Sequence, residues 1–250
     1  MKIGIIGLGL IGGSIFKDLR RLNYDVVAVS NSQTGENIYK DYEILKTCNF
    51  VFVCSAMNKT QEILDALEKI VLPETVVTDV CSLKRFVCKK SRPYKFVPSH
   101  PMAGTEHKGF ENSFEGLFNG AKWVITPVFG EDETLVEIIK KLGAEPIITT
   151  PEKHDEAAAL ISHMPMVIAQ AIFKTAQDNE LAIKMAASGF RDMTRLAMSN
   201  VEMANDIVQM NSDNIQMSIL KLYKSIGDLT NSDYLEQIEE IKLNRQSMFV

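Results

Sequence analysis

The chain has little that would tie it to an oxidising compartment, a membrane or a polyanion. Its 250 residues hold four cysteines, Cys48, Cys54, Cys81 and Cys88, all in the N-terminal half and none in a C-x-x-C pair. That spacing disfavours a metal cluster or a disulfide framework and fits buried free thiols in a reducing cytoplasm. No apolar run approaches the length of a membrane span, ~20 residues. Met1 leads straight into a strand-like segment, so neither an anchor nor a signal peptide is expected. Basic residues are outnumbered, 27 Lys and Arg against 32 Asp and Glu, and the net charge of −5 argues against nucleic acid as a partner. Repeats and low-complexity segments are also lacking. What remains is an ordinary apolar fraction of 46%, enough for a full core in one large domain or two modest ones.

Against that background the first fourteen residues stand out. Ile3, Ile5 and Ile6 read as a short buried strand, and Gly7, Gly9 and Gly12 follow in the G-x-G-x-x-G spacing. Gly7 allows the tight turn, Gly9 lets a pyrophosphate approach the backbone, and Gly12 lets the next helix pack against the sheet. The free N–H groups at the helix start, around Leu10 and Ile11, are then placed to face phosphates. A second strand, Val26 to Val29, ends in Ser30, Asn31 and Ser32. An Asp or Glu there would bond the adenosine ribose of NAD, and none is present. Hydroxyls and an amide can meet a 2′-phosphate, although no Arg stands beside them, so the reading leans to NADP within NAD(P).

Further strands are predicted over Asn49 to Ser55, Thr75 to Val80 and Tyr94 to Val97, with an amphipathic helix over Thr60 to Val71. Ala121 to Pro127 and Ala144 to Thr150 read as two more strands flanking a helix from Glu133 to Leu142. Alternating strands and helices imply an α/β, Rossmann-type parallel sheet over residues 1 to 150. Ligands bind beyond the carboxyl ends of such strands, where Ser55 and Ser82 fall. From Glu152 onward the pattern is helical only and holds nine of the twelve methionines. Residues 151 to 250 are therefore expected to form an all-helical domain whose apolar faces serve as core or subunit interface, giving a homodimer. Asn231 to Asp233 look like the cap of a final charged helix.

Ser99 to Glu106 (Ser-His-Pro-Met-Ala-Gly-Thr-Glu) is the second informative stretch. Pro101 holds His100 in extended backbone, predicted to be a loop after a strand. An imidazole there suits a general base near neutral pH, or a simple structural hydrogen bond. Three further stretches are Asp79-Val80-Cys81-Ser82-Leu83-Lys84, Ser162-His163-Met164-Pro165 and Gly189 to Arg195. Together with the glycine turn these five co-ordered motifs resemble the prephenate dehydrogenase family, which includes arogenate dehydrogenases.

The resemblance implies oxidative decarboxylation of prephenate or arogenate with hydride transfer to NAD(P), in the cytoplasm. His100 matches the family's catalytic histidine, and Ser82 the serine that bonds the reacting hydroxyl and orients the imidazole. Arg195 matches the arginine that holds a substrate carboxylate. Thr105, Glu106, Ser162 and His163 match pocket positions, and Arg191 lies one helical turn before Arg195. Blander roles exist for each. Ser82 could cap a helix starting near Leu83, His163 could be a bonded core histidine, Arg195 a solvated helix residue and Glu106 a helix-start carboxylate. Three departures from the family pattern stand out: Cys81 for glycine, Met166 for a histidine tied to tyrosine sensitivity, and Ser199-Asn200-Val201 for Ser-Asp-Pro. The last is expected to blur the start of the following helix. No fused chorismate mutase or regulatory module is expected. A different class remains open, a non-catalytic dinucleotide sensor, which would need the glycine turn but not His100, Ser82 and Arg195.

Overall fold

The computed structural model describes residues 1–105, 107–231 and 233–248. Glu106 and the Ser232 of the predicted cap lie outside the described residues. The N-terminal part runs β1 (Lys2–Ile6), α1 (Leu10–Arg21), β2 (Asp25–Val29), β3 (Ile38–Tyr39), β4 (Phe50–Val53), α2 (Met57–Leu67), β5 (Val76–Asp79) and β6 (Lys95–Phe96). These strands form one six-stranded parallel sheet in the order β3-β2-β1-β4-β5-β6. Side chains alternate between its faces. Ile3, Ile5, Phe50 and Phe52 pack under α1, while Ile6, Val51 and Val53 pack under α2. Burial on both faces explains the near-continuous apolar runs in the sequence.

The last two predicted strands do not join that sheet. β7 (Ser99–Pro101), β8 (Lys122–Ile125) and β9 (Glu145–Ile148), with α3 (Glu133–Lys141) between the last two, make a separate three-stranded sheet. β7 pairs antiparallel with β8, His100 opposite Val124. His100 therefore sits on a strand, not in the expected loop. Pro101 accounts for the short strand, since it can offer no N–H to a ladder. Helix α2 also begins and ends about a turn earlier than its apolar spacing suggested, and β3 was not foreseen because two residues carry no period.

The remainder is helical: α4 (Pro151–Ala158), a widened π turn at Ala159–His163, α5 (Met164–Ala176), α6 (Glu180–Met185), α7 (Ser188–Thr194), a 3-10 turn at Arg195–Met198, α8 (Val201–Met210), α9 (Ser212–Asn231) and α10 (Tyr234–Met248). Thr150 caps α4, its hydroxyl accepting from the Lys153 N–H at 3.3 Å. The π turn precedes Pro165, whose ring nitrogen cannot donate to the carbonyl one turn back, and it lets the helix continue through the proline.

The stretch Pro151–Ala176 is consequently one helix of 26 residues containing a window of mean hydropathy 1.4, long and apolar enough by length and composition to cross a membrane. This corrects the expectation that no run reaches span length. The charged start and Pro165 had broken the run when read linearly. Here one face of the helix is committed to protein contacts, with Ala159 and Met166 in a third core cluster beside Cys81, Leu83, Ala204, Ile207 and Ile215. Asn200 corrects another expectation. Its side chain accepts from the Met203 N–H at 2.9 Å, so α8 starts sharply without the Asp-Pro pair.

Candidate active site

The glycine turn is built as its spacing implies. Gly7 has φ +88°, and a Cβ there would stand 2.6 Å from the Cys54 carbonyl oxygen. A Cβ on Gly12 would stand 2.0 Å from the Gly7 carbonyl oxygen, so α1 can approach the turn only with glycine there. Gly9 faces open space, which leaves room for a pyrophosphate beside the first N–H groups of α1 at Leu10 and Ile11. Next to it, a cavity of about 270 Å³ is lined by residues that include Gly7, Ser30, Asn31, Lys40, Ser55 and Lys59. It lies beyond the carboxyl ends of β1, β2 and β4, where an adenosine half fits. Ser30 is buried and its Oγ accepts from the Gln33 N–H at 3.1 Å. Lys40 donates to the carbonyls of Ser30, Asn31 and Gln33 at 2.9 to 3.0 Å, holding that loop closed. Ser55 shares a 3.0 Å hydrogen bond with Thr60. The residues present thus fit a dinucleotide. Lys40 and Lys59 escaped sequence reading because ten to thirty residues separate them from the end of β2.

His100 stands at the same carboxyl edge. The Ser99 N–H donates to Asp79 Oδ1 at 3.3 Å, which ties β7 to the end of β5, two strand positions from β1. Beneath it lies a fully buried clamp. Ser99 Oγ donates to the Asp79 carbonyl at 2.9 Å and is met by Thr78 Oγ1 at 2.8 Å and by the Trp123 N–H at 2.9 Å. Lys84, also fully buried, donates from Nζ to Asp79 Oδ2 and to the Ser99 carbonyl. Neither Lys84 nor Asp79 is exposed to any extent, so each depends on the other as its buried partner.

The imidazole is held from the helical side. His100 Nδ1 lies 2.9 Å from His154 Nε2, and His154 Nδ1 lies 2.7 Å from Asp155 Oδ1. Asp155 also accepts from the backbone N–H groups of Lys84 at 2.8 Å and Arg85 at 3.0 Å. Arg85 continues the contact by donating to Asn211 and Asp213 at 2.8 to 3.0 Å. Burial, then the neighbouring His154, Lys84 and His163, holds the His100 pKa well below the ordinary histidine value, so the ring is a neutral base near pH 7. Asp155 is held below the ordinary carboxylate range by its hydrogen bonds to His154, Lys84 and Arg85, which outweigh its burial. His154, Asp155, Lys84 and Arg85 were missed as site residues. The visible signal was a His-Asp pair in the first turn of a helix that opens the second half of the chain.

The other candidates separate into two groups. Ser82 is half-buried between Cys81 and Leu83, and no hydrogen bond to a described residue engages its hydroxyl. No helix begins at Leu83, so the capping role does not apply. Arg195 is exposed and makes no ion pair with a described residue, while the adjacent Leu196 packs on the cluster that holds Cys81 and Leu83. Arg191 is exposed and pairs with Asp192 at 3.6 Å. Thr105 and Ser162 are exposed, and Thr105 turns back onto the His107 N–H at 3.2 Å. His163 is buried, with its Nδ1 accepting from the Asn211 amide at 3.2 Å.

Burial lowers His163 to a pKa of about 4. The unfolded chain, with an ordinary value near 6.5, therefore binds the extra proton between these limits. His163 adds stability above pH ~6.5 that is lost as the pH falls toward ~4. Urea midpoints measured across that window are expected to drop with pH, and the drop is expected to shrink in His163→Leu.

Fold and site together define a nucleotide-binding type, a Rossmann sheet completed by helices that bring a second set of polar groups to its carboxyl edge. Family models described as "Prephenate dehydrogenase, nucleotide-binding domain" and "Prephenate dehydrogenase, dimerization domain" match residues 25–147 and 150–243. The chain belongs to the prephenate dehydrogenase family. It is 31% identical over 238 residues to the prephenate dehydrogenase of Bacillus subtilis (strain 168), covering 84% of this chain and 64% of that one. It superposes on prephenate dehydrogenase from A. aeolicus in complex with hydroxyphenyl propionate and NAD+ with a TM-score of 0.87 and 26% identity, over 99% and 98% of the two chains. Against Synechocystis arogenate dehydrogenase the TM-score is 0.80 at 29% identity, over 99% and 97%.

Proposed function

We propose that the chain is a prephenate dehydrogenase that oxidatively decarboxylates prephenate to 4-hydroxyphenylpyruvate in tyrosine biosynthesis. The observation that carries this reading is the placement of His100 at the same sheet edge as the glycine turn, with Nδ1 bonded to His154 and Nε2 in no hydrogen bond to a described residue. Residues 1–150 carry the nucleotide and residues 151–250 complete the substrate cleft. Gly7 to Gly12 and the Ser30–Asn31 cavity would hold NAD(P), which when bound would supply the hydride acceptor. His100 Nε2 takes the ring hydroxyl proton as hydride leaves the same carbon. Carbon dioxide then departs as the ring becomes aromatic. This reading gives the free hydroxyl of Ser82 the bond to that ring oxygen, and the uncommitted guanidinium of Arg195 the bond to a carboxylate. In Arg195→Ala the KM for substrate is expected to rise about 10²-fold with the fold intact. An unchanged KM removes Arg195 from the site.

Arogenate carries an amine where prephenate carries a keto group, and the ring chemistry above is common to both. Likeness to the Synechocystis arogenate dehydrogenase supports testing both. Assays of the purified protein with each substrate and each cofactor, followed by nicotinamide absorbance, decide. NADP+ is the expected better cofactor, because no carboxylate ends β2 and Lys59 lines the cavity. Lys59→Ala is expected to lower kcat/KM with NADP+ about ten-fold more than with NAD+, about 1.4 kcal/mol. Equal losses count against the preference.

A homodimer through the helical half fits the same reading. Leu181, Met185, Tyr223, Leu235 and Leu243 are between 66% and 75% exposed, an apolar surface that a second copy would cover. The free thiols of Cys48 and Cys88, raised to about 11 and 12 chiefly by burial, are unreactive groups that suit a reducing cytoplasm.

A further inference from the structure

Resting on the proposed role of His100, we infer that His154 and Asp155 are positioning residues. They form a relay that fixes the tautomer of His100, so that its Nε2 lone pair, not an N–H, faces the substrate.

The argument follows the protons. Asp155 accepts from the N–H groups of Lys84 and Arg85 and from His154 Nδ1 at 2.7 Å. An ionised carboxylate has no proton to give, so His154 Nδ1 must carry the hydrogen of that bond. In the neutral form of His154 the one ring proton sits on Nδ1, facing Asp155, and Nε2 keeps a lone pair. That nitrogen lies 2.9 Å from His100 Nδ1, which must therefore be the donor. The single proton of neutral His100 is thereby assigned to Nδ1, and Nε2 is left as the acceptor a general base requires. When Nε2 receives the substrate's hydroxyl proton, both nitrogens of His100 carry hydrogen. The resulting imidazolium then donates from Nδ1 into a chain that ends on a carboxylate.

The rings cross at 73° with centroids 5.1 Å apart, so they meet edge-on through their nitrogens and are not stacked. The relay also crosses between the two halves of the chain. His100 lies on β7 and His154 on α4, and Asp155 is fastened to the loop after β5 through backbone N–H groups. Ser82, to which the resemblance gave the orienting role, is left free to bond substrate.

The chain has only four histidines, so ¹⁵N-histidine labelling gives an assignable spectrum. In the native protein at neutral pH, His100 is expected to show a protonated Nδ1 and an unprotonated Nε2. In His154→Phe that signature is expected to be lost. Turnover number should fall on the order of 10²-fold or more, as wrong-tautomer variants of other histidine bases do, with the substrate KM and nucleotide Kd within a few-fold. His154→Gln can present Oε1 near the position of Nε2, and it is expected to recover much of that loss. A native His100 protonated on Nε2 overturns the inference. So does a His154→Phe enzyme with wild-type turnover, or a His154→Gln no better than His154→Phe. If His100→Ala itself stays active, the proposed function fails first. If His100→Ala is dead and His154→Phe is not, only the relay fails.

Discussion

His100→Ala is expected to reduce turnover by about 10² to 10⁴-fold, the contribution of a positioned general base, or roughly 3 to 5 kcal/mol of barrier. Nucleotide binding should stay within a few-fold, since the glycine turn and the Ser30–Asn31 cavity do not touch the imidazole. Steady-state rates read beside nucleotide affinity, by fluorescence or calorimetry, separate the two effects. A non-catalytic nucleotide sensor predicts the opposite pattern, with no turnover to lose. The pH profile adds a sign. Because burial and nearby charge depress the His100 pKa, its neutral form persists on the acid side of the ordinary histidine value. The acid limb of kcat/KM should therefore lie below pH ~6.5. An enzyme that loses kcat/KM on falling from pH 8 to 7 through this group would contradict the assignment.

Lys84→Met is expected to cost about 3 to 5 kcal/mol of stability, the largest effect foreseen outside the chemistry. Lys84 and Asp79 are both fully buried, and the ammonium also serves the Ser99 carbonyl under His100. Removing the ammonium leaves the Asp79 carboxyl group buried and short of a partner. Its remaining contacts are the N–H groups of Cys81 at 3.0 Å and Ser99 at 3.3 Å. The double variant Asp79→Asn with Lys84→Met should recover much of the loss, because no unpaired charge stays buried. Urea unfolding of the two variants tests this. A single variant within about 0.5 kcal/mol of wild type would show that the pair carries no such weight.

Much of the architecture was legible in the chain. Local periods mark the strands over Ile3 to Ile6, Val26 to Val29 and Phe50 to Val53, and the glycine spacing names the turn between β1 and α1. The helical character after Pro151 follows from the loss of any two-residue period. Errors arose where local signals are weak or cancel. Separation of β7, β8 and β9 into their own sheet depends on which neighbours pair, and strand periodicity is blind to that. Continuity of the helix through Pro165 depends on a π turn that no residue preference announces. Ser99, read as a neighbour of the interesting histidine, proved to be the buried hub that joins Thr78, Asp79 and Trp123.

By itself the sequence determined most strands of the main sheet, the helical character after Pro151, the nucleotide turn and the residue types able to do acid–base chemistry, since each depends on contacts within a few residues. Only the tertiary structure decided what those types can do. His100 and His154 are 54 residues apart, and Lys84 and Asp155 are 71 apart. Proton position on an imidazole, and the charge of a buried lysine, are set by what lies within about 3 Å. Chain separation carries no such information, so the hydrogen bonds around His100 form only when the helical half meets the sheet edge.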